Sequence, residues 1–439
     1  MAYPATHSFC RFADVTVTAL HSGGNTTYKF VVGADGAKSV VRKQLGLAFI
    51  GETMEQRMIV GDFIGDAPFF INKWGWWRDN EDNVTAIRPT NTPGKFTFFT
   101  GGYKNVKYAE ICSSDDAVKE SILKGTGGRT DIKIEEFVWR SPYRVNVRMT
   151  ETFRKGRVFI VGDAGHVHSP AGAQGLNTGI QDSYNLGWKL ALVIKSLAPP
   201  TLLDSYNDER VPLVAEMLNI TTELLLVGRK ALSVGREEAT LKRAENLSQL
   251  GVNYRGSPMI IDEEDNIGNI KAHGEGKAFN SRYGNADRGS VVKAGDRAPD
   301  APGLAKVHHT NSVERPTTRL FKLLTPAKHS VLILYDLIPN AQFLAVLERL
   351  QKVSALGNVV QVFVIKKPGV IDIIDTSQSP LAEQWISVFE DRGGHVHDAY
   401  ADPDFTASIF VVRPDGIIGA RAGKDSDEIL EKYFACVFL

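Results

Sequence analysis

Hydrophobic and polar positions change period several times along this chain. Val15-Thr16-Val17-Thr18 alternates, Ser22-Gly23-Gly24-Asn25 has turn chemistry, and Tyr28-Lys29-Phe30-Val31-Val32 follows. That order predicts a hairpin over residues 13–33. Short β-rich runs recur at 57–63, 84–88, 95–100 and 132–138, with one helical stretch at 115–123 between them. They predict a mostly antiparallel sheet with one packed face and one face free to line a pocket. The run 157–161 (R-V-F-I-V) reads as a strand of a buried parallel sheet. A Gly-rich loop follows it, then a helix over 176–197. Leu186, Leu190, Val193 and Leu197 lie along one side, and Ile180, Tyr184, Ala191 and Ile194 along another. Apolar residues on so much of the circumference predict a core helix. Pro199-Pro200 end it. A second helix is predicted over 202–232, kinked or restarted at Pro212.

Residues 254–318 lack periodicity and are rich in Gly, Asp, Asn and Pro, which predicts a long connection. Beyond Arg319 strands (330–335, 359–365, 409–413) and a helix (341–353) alternate. The turn Arg413-Pro414-Asp415-Gly416 feeds a further strand. These features predict a separate small α/β domain. The chain is thus divided at 1–53, 54–150, 151–253, 254–318 and 319–439.

Composition narrows the classes. In 439 residues, 43% are hydrophobic and 23% charged, an ordinary globular balance. Lys+Arg and Asp+Glu are both 51, so no global basic field exists to hold nucleic acid or an anionic membrane. Cys10, Cys112 and Cys436 lie far apart, which excludes a disulfide scaffold and a metal spacing built from neighbours. No apolar stretch approaches the roughly 18 residues of a membrane span. Residues 1–20 lack the order of a signal peptide, and a cytoplasmic location is the default expectation. The ending Cys436-Val437-Phe438-Leu439 fits the prenylation pattern C-a-a-X; the other reading is a closing helix with apolar packing residues.

Two Gly-rich blocks carry the candidate chemistry. The first is Gly33-Ala34-Asp35-Gly36-Ala37-Lys38-Ser39-Val40-Val41-Arg42. Gly33 and Gly36 let the backbone approach a ligand or take positive φ, and Asp35 can bond a hydroxyl or the loop's own amides. A plain Asp-Gly turn is the competing reading. The second runs from Gly162-Asp163-Ala164-Gly165-His166-Val167-His168-Ser169-Pro170 to Gly175-Leu176-Asn177. It leaves a buried strand and opens a helix, where open α/β sheets bind ligands. Gly175, Leu176 and Asn177 place amides at the positive end of that helix, suited to a ring edge that becomes anionic on reduction. Asp163 is placed to bond a polyol chain. His166 and His168 form H-x-H without a third metal ligand nearby, so a structural role competes with a metal role. Trp74, Trp76, Trp77 and Phe99 either line an aromatic pocket or build the core. Arg144 either meets a phenolate or carboxylate or serves the strand surface.

These blocks, with Ser141-Pro142-Tyr143-Arg144-Val145-Asn146, Gly156-Arg157-Val158-Phe159, Asp182-x-x-Asn185-Leu186-x-Trp188-Lys189-Leu190, Leu203-Asp204-Ser205-Tyr206-x-x-Glu209-Arg210-x-Pro212 and Gly295-Asp296-Arg297-Ala298-Pro299, resemble the FAD-dependent aromatic hydroxylases. The resemblance is to the phenol 2-monooxygenase-like branch of the class A flavoprotein monooxygenases. It implies an α/β fold: an incomplete Rossmann-like FAD-binding domain of PHBH type, an inserted antiparallel substrate-binding sheet, and a C-terminal thioredoxin-like α/β domain. It also implies roles. Gly162 and Asp163 would bind the FAD ribityl and pyrophosphate region. Pro170 would lie beside the isoalloxazine, and Gly175, Leu176 and Asn177 would contact its edge. Asp35, Gly36 and Arg42 would act in FAD and NAD(P)H handling. The implied reaction has NAD(P)H reduce FAD, O2 form a C4a-hydroperoxide, and a phenolic or polyketide-like aromatic substrate attack it; Baeyer–Villiger oxidation and epoxidation are variants on the same scaffold. His166 matches a position near the flavin.

The upstream strand, G-x-G-x-x-G and helix of that family have no counterpart here, and Gly125-Thr126-Gly127-Gly128 has the wrong spacing. An incomplete gene model, a true truncation and a second chain supplying the part are the three explanations. A non-catalytic remnant or interaction protein that cannot hold FAD productively is the alternative function. Gly165 stands where the family has Ala, and Ala173 where it has Gly. In place of C-x-x-C the last domain has Asp336-Leu337-Ile338-Pro339, so packing or a homodimer contact is expected of it.

Overall fold

The computed structural model describes residues 15–18, 25–68, 73–78, 83–102, 108–170, 173–233, 248–266, 281–283, 292–307, 316–338, 340–354, 359–370, 385–401, 408–423 and 426–438. The chain divides into two compact units, one of Met1–Ala48, Glu151–Gly165 and Gly172–Leu439 and one of Phe49–Thr150 and His166–Ala171. Strand β1 (Val15–Thr18) pairs antiparallel with β2 (Asn25–Tyr28). Val31 and Val32, predicted in that hairpin, instead form β3 (Val31–Gly33) of another sheet, which leads to helix α1 (Val40–Gln44). The predicted turn residues 22–24 lie outside the described residues.

The second unit holds β4 (Ile50–Asp66), β5 (Gly75–Arg78), β6 (Val84–Pro89), β7 (Lys95–Gly102), α2 (Tyr108–Ile111), α3 (Asp115–Gly125) and β8 (Lys133–Met149). Its antiparallel sheet has the order β11-β8-β4-β7-β6-β5, where β11 is His166–Val167. Alternation decides what each face carries. Ile59, Phe63, Ile87, Phe96 and Phe98 are buried beneath Val118 and Ile122 of α3. The other face holds Trp76, Ala86, Phe99 and Val60 in one cross-strand row. Each large apolar side chain buried on the α3 side contributes about 1.5–3 kcal/mol.

In the first unit, β9 (Arg154–Lys155) and β10 (Val158–Ile160) complete a three-stranded sheet of order β3-β10-β9. Then come α4 (Gly175–Ile194) and α5 (Asp204–Ser233). Helix α5 continues through Pro212 without a restart. An eight-stranded mixed sheet follows, built from β12 (Ile261–Asp262), β13 (Pro302–Lys306), β14 (Thr317–Arg319), β15 (His329–Leu334), β16 (Val360–Lys366), β17 (Ile386–Asp391), β18 (Ile409–Val412) and β19 (Ile418–Ala422), in the order β12-β19-β18-β15-β16-β17-β13-β14. Its centre, β15 to β17, is parallel.

Two expectations need correction. The stretch 254–318 is more than a connection: β12 and β13 lie in the sheet, and Tyr254, Met259 and Leu304 are buried. Strands of two to five residues are too short to show a period, which is why the sequence hid them. The segment 319–439 is also not separate. Trp188, Leu192 and Leu202 share one apolar cluster with Val331, Val362, Tyr433 and Phe438. Beside that cluster lies a buried charge network. Glu209 of α5 accepts from Arg413 (2.7 and 2.9 Å), Lys189 (2.8 Å), Asn185 (2.6 Å) and Ser257 (3.0 Å). Asp415 accepts from Arg413 (2.5 Å) and the Trp188 indole (3.2 Å).

This network also corrects the reading of α4. Its buried residues include Asp182, Asn185 and Lys189, while Leu176, Ile180 and Tyr184 are 78%, 57% and 49% exposed. The helix buries a polar face because distant charges meet it there. At the C-terminus Val437 and Phe438 are buried and Cys436 is exposed, as the closing-helix reading requires; Leu439 lies outside the described residues.

Candidate functional site

The two Gly-rich blocks meet at the carboxyl ends of neighbouring parallel strands. Ile160, the last residue of β10, is in register with Gly33, the last of β3, and the Val161 amide donates to the Gly33 carbonyl at 3.0 Å. Gly33 tolerates no side chain: an added Cβ would sit 2.8 Å from that of Val41, because α1 packs on the strand end. The Asp35 carboxylate is occupied by its own loop. It accepts from the Ser39 hydroxyl (2.5 Å) and the amides of Val40 (2.6 Å) and Val41 (3.1 Å). Burial pushes its pKa up, but the Ser39, Val41 and Val40 bonds outweigh that and hold it below the usual carboxylate value. Arg42 is buried and donates to the carbonyls of Ala164 (2.8 Å) and Ala37 (2.8 Å). It ties the first block to the second. Gly36, at φ +75°, has open space around it.

In the second block Gly162–Ala164 form a tight 3-10 turn directly after β10. Gly162 takes φ +57° and touches α4 closely: a Cβ on Gly179 would lie 3.3 Å from its Cα. Its amide donates to Asp182 at 2.9 Å, and Asp182 in turn accepts from Arg210 at 2.8 Å. Both side chains of that ion pair are fully buried. Burial opposes the Arg210 charge; Tyr254 and Asp182 more than offset it and raise its pKa. Asp163 differs from Asp35. It is exposed and has no hydrogen-bond partner among the described residues. Helix α4 starts after Gln174, which supplies no side-chain cap, and its first bond runs from the Thr178 amide to the Gln174 carbonyl (3.0 Å). Among the described residues nothing accepts from the amides of Gly175, Leu176 and Asn177. They are available to an electron-rich ligand. Ala173, just before them, is held at φ 55°, a region that favours Gly.

The other unit carries the remaining candidates. Pro170 is exposed, and Ala171 and Gly172 beside it lie outside the described residues. Arg144 is exposed on β8 and directly opposite Arg57 of β4. His166 is buried, and His168 contacts the Ser169 carbonyl at 2.5 Å. Among the described residues no three His, Cys, Asp or Glu are grouped to hold a metal ion. The aromatic set splits. Trp77 packs on the α3-side core. Trp74 and Trp76 are 56% and 58% exposed on the open side, stacked at 6.4 Å, with Phe99 edge-on to Trp76 at 4.9 Å and Arg88 5.2 Å over Trp74.

Sequence reasoning assigned no role to Asp182, Arg210 or Gln174 and passed over Gln249 and Tyr283. The motifs Asp182-x-x-Asn185 and Glu209-Arg210-x-Pro212 were the signals for two of them.

Residues 13–221 match the family described as FAD binding domain. A flavin-dependent monooxygenase of Mycobacteroides abscessus is 39% identical over 303 residues, 67% of this chain and 55% of that protein. Pentachlorophenol 4-monooxygenase of Sphingobium chlorophenolicum is 28% identical over 404 residues, 92% of this chain and 67% of that protein. The chain thus spans between about half and two thirds of these relatives. The chain shares its fold with solved flavoproteins. The flavin-dependent monooxygenase PieE in complex with FAD and substrate aligns with TM-score 0.71 at 20% identity, covering 96% of this chain and 72% of that one. Aklavinone-11 hydroxylase with FAD and aklavinone aligns with TM-score 0.67 at 23% identity, covering 98% and 71%. Among the described residues no helix is long and apolar enough to cross a membrane.

Proposed function

We propose that this chain carries the chemistry of an FAD- and NAD(P)H-dependent monooxygenase that hydroxylates a phenolic or polyketide-like aromatic. One observation carries the reading. Asp163 and the amides of Gly175, Leu176 and Asn177, without partners among the described residues, stand at the carboxyl end of β10, in the segment that matches the FAD binding domain family. These groups fit a flavin. An exposed carboxylate suits a polyol hydroxyl, and free amides at a helix N-terminus suit a ring edge that gains negative charge. The bare contact of Gly162 with Gly179 lets the turn lie flat against α4. Asp35 fits less directly: its carboxylate serves its own loop, so that block would meet a ligand through backbone and Gly36 rather than through the acid.

When bound, FAD would supply the hydride and oxygen chemistry. The chain's own residues would orient and shield. Asp163 would accept from the ribityl chain. Amides of α4 would stabilise the reduced ring. Arg42 would keep the two Gly-rich turns together through its bonds to Ala164 and Ala37. Trp76, Trp74 and Phe99 would offer aromatic surface to a flat substrate, the class named for the relatives acting on pentachlorophenol and on 6-methylpretetramide. Roles for Pro170 toward the flavin and Arg144 toward a phenolate rest on the family resemblance. The test is to express the chain and add FAD. Yellow protein, substrate-stimulated NAD(P)H oxidation and a product heavier by one oxygen are expected. Colourless protein that takes up no FAD would overturn the reading and favour the non-catalytic alternative.

A further inference from the structure

Behind the amide end of α4 lies a buried polar network that the reaction itself does not use. Gln174, Gln249 and Tyr283 are 1%, 6% and 1% exposed. The Gln249 side-chain amide donates to the Gln174 side-chain oxygen at 2.5 Å and lies 2.9 Å from the Tyr283 hydroxyl. That hydroxyl donates to the same Gln174 oxygen at 2.9 Å. The Gln249 carbonyl oxygen accepts from Gln181 at 2.8 Å, and Gln181 accepts from Arg210 at 3.3 Å. Arg210 also donates to the Thr178 carbonyl at 3.1 Å and bonds Asp182, which receives the Gly162 amide. A continuous chain of bonds thus joins the Gly162 turn to the residue that precedes α4. Tyr283 is anchored independently, since Glu216 of α5 accepts from the Ser281 hydroxyl and from the Arg282 amide (2.9 Å). Gln249 is held at φ 59°, a costly conformation for a non-Gly residue, which the network over-determines.

We infer that Gln249 and Tyr283 are positioning residues of the candidate flavin site: they grip Gln174 from behind and so fix where the amides of Gly175, Leu176 and Asn177 point. The inference rests on the flavin reading above. Its physical basis is that the Gln174 side chain does not cap α4; locally the first turn is tied by the Thr178 amide (3.0 Å) and hydroxyl (2.9 Å), which both donate to the Gln174 carbonyl. A further restraint, on the Gln174 side chain, comes from residues far along the sequence. Aligned amides stabilise added negative charge only while their direction is held.

The test uses the full chain with Gln249→Ala and, as a milder change, Tyr283→Phe. In FAD-free protein, exchange of the Thr178 amide reports the first turn without any cofactor. It should rise about tenfold or more in Gln249→Ala, because a buried partner is orphaned, and less in Tyr283→Phe. With FAD bound, the midpoint potential should fall in both variants, a change that mere loss of stability does not produce. Unchanged exchange in both variants would overturn the clamp. Faster exchange with an unchanged potential would overturn its role toward the flavin. A wild-type chain that takes up no FAD would sink the flavin reading and the claim on the potential, while the exchange result still decides whether the clamp exists.

Discussion

Neutralising Glu209 should be among the most damaging single changes in this protein. The side chain is fully buried between two cations, Lys189 and Arg413, and a second carboxylate, Asp415, completes the group. Burial alone would raise the Glu209 pKa; Arg413 and Lys189 overcome that and hold it far below the usual value. In Glu209→Gln the two cations face Asp415 alone, so one positive charge is left buried without compensation. Breaking a buried pair from one side costs about 3–5 kcal/mol. Loss of two Arg413 bonds and of the Asn185 and Ser257 contacts lies within that figure. Urea unfolding at neutral pH is the assay. A loss near 4 kcal/mol is expected, with part of it recovered in Glu209→Gln/Lys189→Met, which restores neutrality. A loss below about 1 kcal/mol, or strictly additive single effects, would refute the reasoning. The acid limb follows in sign. A carboxylate held low in the folded state stabilises above its unfolded value near 4.5, and that stabilisation is lost as pH falls below it.

Asp163→Ala should weaken FAD retention and leave the unfolding midpoint unchanged, because the carboxylate has no partner among the described residues; flavin fluorescence titration and thermal melting check both halves. Ala173→Gly should relieve the left-handed strain at φ 55° and stabilise by up to about 1 kcal/mol, with no loss expected in FAD affinity. His329 is buried, its Nε2 has no hydrogen-bond partner among the described residues, and desolvation and then Arg413 pull its pKa down to about 3. Folded His329 refuses a proton that the unfolded chain binds below about pH 6.5, so stability falls with pH from there until about 3. By about pH 4.5 the wild type should have lost roughly 2.7 kcal/mol relative to His329→Phe, at 1.36 kcal/mol per pH unit. Parallel stability profiles of the two proteins across that range would contradict it.

Much of the scaffold was legible before any coordinates. The runs at 84–88, 95–100 and 115–123 appear as β6, β7 and α3 with small changes at their ends. Both Gly-rich blocks fall at strand ends, because glycines that permit φ +57° or a 2.8 Å approach are local requirements visible in local sequence. The open aromatic face was foreseen as one of two readings; only register separates Trp76, on the open side, from Trp77, in the core.

The sequence by itself determined the two turns and the helix that opens at Gly175, since each depends on neighbours within a few residues; of the antiparallel sheet it determined the strands but not the pairing, which joins Ile50 to Met149. Tertiary structure alone decided which face of that helix is buried, which acid is free and what restrains the site. Asp35 and Asp163 look alike in sequence, yet one is consumed by Ser39 and two amides and the other is exposed without a partner among the described residues. A polar face can be buried only where opposite charges arrive, and the partner of Glu209 arrives from Arg413, 204 positions away. Burial of charge is a property of the pair, and the pair exists only in the folded chain.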